Sequence, residues 1–140
     1  MESVPVFFYG TFMSPRILRE HGIDCEATIP VKLDGYELSI RPRANLTKNE
    51  SCVSYGGLAH ISHRDISRLY SDLTDKFGIT YYPYPVTVEL SDGNSETALC
   101  YMSFDIQDSP ADPDYVNELA RCATELGAPA VYIGHIRSFL

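Results

Sequence analysis

The fold is decided near the start of the chain, where residues 4–22 read VPVFFYGTFMSPRILREHG. The apolar run that opens this stretch is typical of a buried strand, and Gly10 ends it. Ser14 and Pro15 follow, and this pair favours a helix start because serine caps free amides and proline suits the first helical turn. The stretch therefore predicts a strand, a glycine turn and a short helix.

The rest of the chain alternates strand patterns with helix patterns. Strands are predicted at residues 26–33, 36–41, 52–61, 84–90 and 97–104, and helices at residues 62–74 and 112–127. The dipeptides Asp34-Gly35 and Asp92-Gly93 predict tight turns between neighbouring strands. Residues 129–140 are compatible with either a helix or a strand. Hairpin-linked strands with interspersed helices indicate the α+β class with mainly antiparallel pairing.

Length and charge exclude several classes of protein. The chain has 140 residues, so residues 1–140 are expected to form a single domain. No apolar run reaches the roughly 18 residues that a membrane span needs, so no membrane association is expected. The net charge of −8 disfavours nucleic acid as a partner. The apolar start has no basic leader or cleavage site, and a cytoplasmic protein is expected.

Cysteine and histidine spacing predicts neither disulfides nor a metal site. The four cysteines are far apart in the sequence and contain no C-x-x-C pair, so reduced, buried thiols are expected. His60 and His63 form an H-x-x-H pair, but the first falls on a predicted strand and the second at a helix start. We therefore expect no metal and no other cofactor.

Residues 6–18 resemble the N-terminal signature of the gamma-glutamylcyclotransferase family, in which an apolar strand runs into Tyr-Gly-Ser/Thr-x-Leu/Met and then a short helix. Residues 57–61, 69–73 and 112–132 resemble later segments of that family in the same order. The resemblance thus covers nearly the whole chain. It implies a small mixed, mainly antiparallel β-barrel with flanking helices and a pocket at one mouth.

The resemblance also implies a reaction and a ligand. The free α-amine of a small γ-glutamyl or related amine or amide compound attacks its own side-chain carbonyl, which closes 5-oxoproline and releases the amine partner. Backbone amides of one loop would bind the carboxylate of this small molecule. In this sequence the loop consists of Tyr9, Gly10, Thr11, Phe12 and Met13, with Gly10 expected to allow an unusual backbone conformation. Taken alone, Tyr9-Gly10 favours a simple turn at the end of a strand.

The glutamate that serves as acid and base in the family is not matched here. Aligning Leu69 with the family leucine places Leu73 at the glutamate position. A shift of one or two residues offers Thr74 or Asp75, and only the aspartate can transfer a proton near neutral pH. Asp75 is therefore the candidate catalytic residue, although its side chain is one methylene shorter than glutamate. The alternative is a solvated Asp75 with no role in the site.

An aromatic cluster follows this helix. Tyr82 and Tyr84 are candidate substrate-binding residues, and at least one tyrosine of the group that also includes Tyr81 is expected to line the pocket. The alternative is core packing on an edge strand, because Pro83 and Pro85 each lack a backbone donor.

Two functional interpretations remain open at this point. The first is an enzyme that cyclises γ-glutamyl compounds with a non-standard acid/base. The second is a catalytically inactive small-molecule-binding or regulatory domain that keeps the carboxylate-binding loop. Arg41 and Arg43 flank Pro42 and are interpreted as a solvated loop pair, with contact to an anionic small molecule as the alternative.

Overall fold

Five strands close into a barrel in the computed structural model, which describes residues 2–140. They are β1 (Ser3–Phe8), β2 (Ile29–Ile40), β3 (Ala44–Ser62), β4 (Tyr82–Leu90) and β5 (Ser95–Met102). Their order around the barrel is β1-β3-β2-β4-β5. Every neighbouring pair is antiparallel except β1 and β5, which run parallel and complete the closure. The predicted α+β fold with a mixed, mainly antiparallel barrel is confirmed.

Four helices flank this barrel within residues 2–140. They are α1 (Pro15–Glu20), α2 (His63–Phe77), α3 (Pro113–Leu126) and α4 (Ala130–Arg137), and a 3₁₀ turn spans Thr11–Met13. The caps of the two long helices follow the sequence pattern. The Ser62 hydroxyl accepts a hydrogen bond from the Asp65 amide at α2, and the Asp112 carboxylate accepts one from the Asp114 amide at α3. These bonds satisfy amides that the first helical turn leaves free.

The turn predicted at Asp34-Gly35 is wrong, because β2 continues through both residues. Gly35 has a φ of +88° and lies at an irregularity where residues 49–52 of β3 stand opposite it. The Ser54 hydroxyl donates a hydrogen bond of 2.8 Å to the Tyr36 carbonyl beside this bulge. The chain instead turns at residues 41–43, so Ile40 pairs with Ala44 in a long β2–β3 hairpin. This hairpin turn contributes Arg43 to the candidate site.

The position of β1 depends on a close approach of two backbones at Gly56 of β3. A Cβ atom added to Gly56 would lie 2.2 Å from the Phe8 carbonyl oxygen and 2.9 Å from the Phe7 ring. Only glycine fits such a contact without displacing the backbone. This close approach places the end of β1 at the mouth of the barrel.

Three further features bear on the excluded classes of protein. None of the helices within residues 2–140 is long and apolar enough to cross a bilayer. All four cysteines are free thiols, and three of them are buried. Over the same described residues, no three His, Cys, Asp or Glu side chains lie together as a metal site would require.

We expect Gly56→Ala to lower the free energy of unfolding by at least about 1–3 kcal/mol, because the new methyl group forces backbone atoms apart. Urea unfolding followed by circular dichroism measures this change. The matched control is Gly134→Ala in α4, where an added Cβ atom meets nothing within 4 Å. That variant should be neutral or slightly stabilising, since alanine is the better helix former. Equal stability of the two variants would contradict the proposed contact.

Candidate functional site

A small cavity of about 40 Å³ lies at the mouth of the barrel, where β1 ends. Its walls come from the loop after β1, the β2–β3 hairpin, α2, the approach to β4, and α3. The lining residues are Phe8, Tyr9, Gly10, Thr11, Phe12, Arg43, Ala44, Tyr70, Leu73, Tyr81 and Tyr115. The structure therefore joins the predicted loop to side chains that lie far apart in the sequence.

The loop after β1 lines this cavity through Gly10, Thr11 and Phe12. In the 3₁₀ turn, the Met13 amide donates to the Gly10 carbonyl at 3.0 Å and the Ser14 amide donates to the Thr11 carbonyl at 3.1 Å. The first two amides of the turn, those of Thr11 and Phe12, have no such partner within it. Met13 differs from its neighbours, because its amide is used in the turn and its side chain is only 1% exposed.

Gly10 has a different role from the one expected of it. Its φ of −96° and ψ of −159° describe an extended backbone that any residue adopts, so the expected unusual conformation is wrong. Its missing side chain instead leaves space. An added Cβ atom would lie 3.7 Å from the Tyr115 hydroxyl oxygen and 3.8 Å from the Ala44 Cβ atom. These are ordinary van der Waals distances, and the added atom would stand where the cavity is now.

Four tyrosines contribute to the wall, of which Tyr9 is buried and Tyr70, Tyr81 and Tyr115 are half-buried. The Tyr9 hydroxyl donates to the Tyr101 carbonyl, and the Tyr70 ring stacks on the Tyr101 ring at 4.0 Å and 8°. The Tyr115 hydroxyl accepts a hydrogen bond of 3.2 Å from the Ala44 amide. Burial raises the pKa of Tyr9, Tyr70 and Tyr115 above the ordinary value of a phenol. These hydroxyls are therefore neutral near physiological pH and serve as hydrogen-bonding groups.

Arg43 brings a positive charge to the cavity. The central carbon of its guanidinium lies 3.9 Å from the centre of the Phe77 ring and 4.1 Å from the centre of the Tyr115 ring. Within residues 2–140, no carboxylate lies within 4.0 Å of this guanidinium, and its N–H groups make no hydrogen bond. Arg41 differs, because it pairs with Asp108. Arg43 is half-buried against these rings and lines the cavity, so it is not simply a solvated loop residue.

Leu73 lines the cavity, as its alignment with the family glutamate predicts, whereas Asp75 does not. Asp75 is exposed on α2. Residues two apart on a helix point in directions about 200° apart, so Leu73 and Asp75 lie on opposite sides. The sequence predicted a helix end near Thr74. The helix instead continues to Phe77, and the Thr74 hydroxyl donates to the Ile79 carbonyl at 3.0 Å beyond its end.

The tyrosines after α2 separate into two groups. Tyr81 lines the cavity, and its hydroxyl donates to the Ala44 carbonyl at 3.3 Å. Tyr82 is 51% exposed, and Tyr84 packs edge-on against Phe104 with ring centres 5.2 Å apart. Neither Tyr82 nor Tyr84 belongs to the cavity wall. One tyrosine of the cluster therefore lines the cavity, and it is not one of the two named as substrate-binding residues.

Sequence reasoning missed Tyr70 and Tyr115 as contributors to the wall, and it gave contact with an anionic small molecule only as the alternative for Arg43. Tyr115 lies on the apolar face of α3 and Tyr70 on that of α2, where helical spacing alone indicates core packing. For Arg43 the available signal was its place beside a proline in a short turn of an acidic chain. That signal did not distinguish a solvated arginine from a half-buried one.

Comparisons with known proteins support the fold. No protein-family model matches the chain, and no curated protein matches it in sequence. A solved gamma-glutamyl cyclotransferase superposes with a TM-score of 0.82 at 19% identity, over 98% of this chain and 88% of that one. An uncharacterised human protein gives a TM-score of 0.79 at 19% identity, covering 99% and 88% of the two chains. YkqA from Bacillus subtilis gives 0.79 at 22% identity, over 99% of this chain and 54% of that longer one.

These identities are low, and they establish the fold alone. The chain has the fold of the gamma-glutamyl cyclotransferase, so the resemblance seen in the sequence is confirmed at that level. Activity has to be argued from the site, because one fold supports many functions.

We expect the buried tyrosines of the cavity to ionise later than those of the unfolded chain. Their raised pKa means that the unfolded state releases phenolic protons first as the pH rises. The contribution of these groups to stability is therefore full below about pH 10 and is lost above it. Phenolate absorbance in an alkaline titration should show a delayed group in the folded protein and a single step in urea. A single step near pH 10 in both samples would contradict the buried assignment.

Proposed function

We propose that this domain binds a small molecule through its carboxylate, at the cavity where β1 ends. The observation that carries this proposal is the meeting of Arg43 with the loop of Gly10, Thr11 and Phe12 in one cavity whose lining, within the described residues, includes no Asp or Glu. A guanidinium and free backbone amides are both donors suited to a carboxylate. Aromatic walls exclude water and strengthen such bonds.

The lining supports binding over catalysis. Cyclisation of a γ-glutamyl compound needs a group that takes a proton from the attacking amine and gives one to the departing amine. At the aligned position Leu73 offers only hydrocarbon. The cavity tyrosines cannot take this proton, because burial raises their pKa and keeps their hydroxyls protonated near neutral pH, as for Tyr9 and Tyr70. Asp75 is exposed and lies outside the wall.

The size of the cavity sets a condition on binding. Its volume of about 40 Å³ suits a few atoms, whereas pockets for drug-sized ligands are usually about 300–1,000 Å³. A larger ligand enters only if a wall moves. Phe77, which packs on the wall residue Arg43, leaves room for such a movement, since it is 41% exposed and is the last residue of α2.

We expect 5-oxoproline or a similar small carboxylate to shift the amide NMR signals of Thr11 and Phe12. Gly10→Ala should weaken this binding at least about tenfold, because its methyl group stands in the cavity, while stability changes little at ordinary contact distances. Gly134→Ala, far from the cavity, is the control and should bind like the wild type. Shifts confined to surface residues, or a Gly10→Ala variant with unchanged affinity, would contradict this site.

A second candidate is the cyclising enzyme itself. It is favoured by the superposition on a gamma-glutamyl cyclotransferase and by the loop that follows β1. In this reaction the α-amine forms a C–N bond to the side-chain carbonyl and the original amide C–N bond breaks. Asp75 would carry the proton from the attacking to the leaving nitrogen, and the end of α2 would have to unwind to bring it inward.

Release of 5-oxoproline from γ-glutamyl amino acids separates the two candidates. We expect none from the wild type, and measurable release from Leu73→Glu, which restores a carboxylate at the cavity wall. Leu73→Gln has the same shape without the charge and is the matched control, with no release expected. Turnover by the wild type that Asp75→Asn abolishes would establish the enzyme instead.

A further inference from the structure

Arg43 is the one charged group in the cavity wall within residues 2–140. The whole chain carries 19 acidic residues against 11 lysines and arginines. None of those acidic side chains lies within 4.0 Å of Arg43 in the described residues, although the nearby Arg41 forms an ion pair with Asp108. A cavity with a net positive charge, in a protein with a net charge of −8, is a selective environment for anions.

We infer that the cavity selects small carboxylic acids that carry no ammonium group, with Arg43 as the counter-ion of the carboxylate. This inference rests on the proposed binding function and narrows the class of ligand. It excludes amino acids and γ-glutamyl amines with a free α-ammonium group. It admits acids whose remaining polar groups are neutral, such as an amide, a lactam or a hydroxyl.

An ammonium group is energetically costly in this cavity. An α-ammonium group sits within a few ångströms of the carboxylate on the same carbon, and therefore close to Arg43. Two like charges at that separation repel strongly when little water lies between them. A buried ammonium group needs an anion or several acceptors. The wall supplies no anion within the described residues, and the Ala44 carbonyl already accepts from Tyr81.

The cavity wall suits ligands whose remaining polar groups are neutral. Tyr81 and Tyr115 both line the cavity, and their hydroxyls are protonated because burial raises the pKa of each. A neutral phenol both donates and accepts hydrogen bonds, which matches an amide, a lactam or an alcohol. It cannot cancel a positive charge.

The Arg43 guanidinium is held in place before any ligand binds. Rings on two sides of Arg43 hold it by cation–π contact and restrict its motion. Its N–H donors remain without a protein partner in the described residues. A held cation with free donors is prepared for a carboxylate, because little side-chain freedom is lost when the ligand binds.

Matched acids that differ only in the ammonium group test this inference. Glutaramate is glutamine without its α-ammonium group, and propanoate stands in the same relation to alanine. In amide NMR titrations of the wild type, we expect each acid to bind at least about tenfold more tightly than its amino acid. The smaller pair keeps the test valid if the cavity opens little.

Variants of Arg43 assign the selectivity to this residue. Arg43→Met keeps the apolar stem and removes the charge, and it should lose both the binding of glutaramate and the preference over glutamine. Arg43→Lys keeps the charge and should keep the preference at lower affinity. Arg41→Met, in the same turn but outside the cavity wall, is the control and should behave as the wild type. Urea unfolding of each variant confirms that it is folded.

The outcomes separate the inference from the function on which it rests. If the wild type binds neither acid at the cavity, the proposed binding function fails and the inference fails with it. If glutamine binds as well as glutaramate or better, the carboxylate site stands and the selectivity is overturned. A folded Arg43→Met variant that keeps the preference would overturn the role of Arg43.

Discussion

Backbone contact between β1 and β3 at Gly56 governs the position of everything at the mouth of the barrel. The Phe8 carbonyl oxygen occupies the space that a side chain at residue 56 would need. A Cβ atom added to Gly56 would lie 2.2 Å from this oxygen. This contact lets β1 lie deep between β3 and β5, and it ends the strand at the barrel mouth. The loop of residues 9–13 then runs across the opening, and its 3₁₀ turn packs against α3. The cavity wall is a consequence of that path.

Much of the fold could be predicted from local patterns, and the exceptions have local physical causes. Strand period, caps and proline positions identified β1 and the two long helices, because each signal lies within a few residues. The turn predicted at Asp34-Gly35 failed because the same dipeptide also suits a bulge, which accepts the positive φ of Gly35. The deciding partner is the hydroxyl of Ser54, about twenty residues away, and a local pattern contains no information on it.

The site was harder to predict than the fold, since its residues come from five separate segments. The loop after β1 could be located because its pattern is contiguous. Asp75 was chosen for its chemistry, but its direction depends on whether α2 ends at Thr74 or continues, and one further helical turn decides it. Arg43 was passed over because a charged residue in a turn is usually solvated. Its partners Phe77 and Tyr115 belong to α2 and α3, and only the closed barrel brings them to it.

Leu73 and Arg43 have to be considered together, because both determine the net charge of the same cavity. Leu73 leaves out the negative charge that a glutamate would bring, and Arg43 adds a positive one. A glutamate at the aligned position would stand in the same wall as Arg43 and could neutralise it. With leucine there, the cation keeps its charge, and stacking on Phe77 and Tyr115 offsets part of its lost hydration by about 0.5–2 kcal/mol. Stacking leaves the N–H donors free, so a carboxylate can satisfy them without breaking the contacts with the rings. The same substitution that removes a proton carrier from the wall therefore leaves a cation available for an anionic ligand.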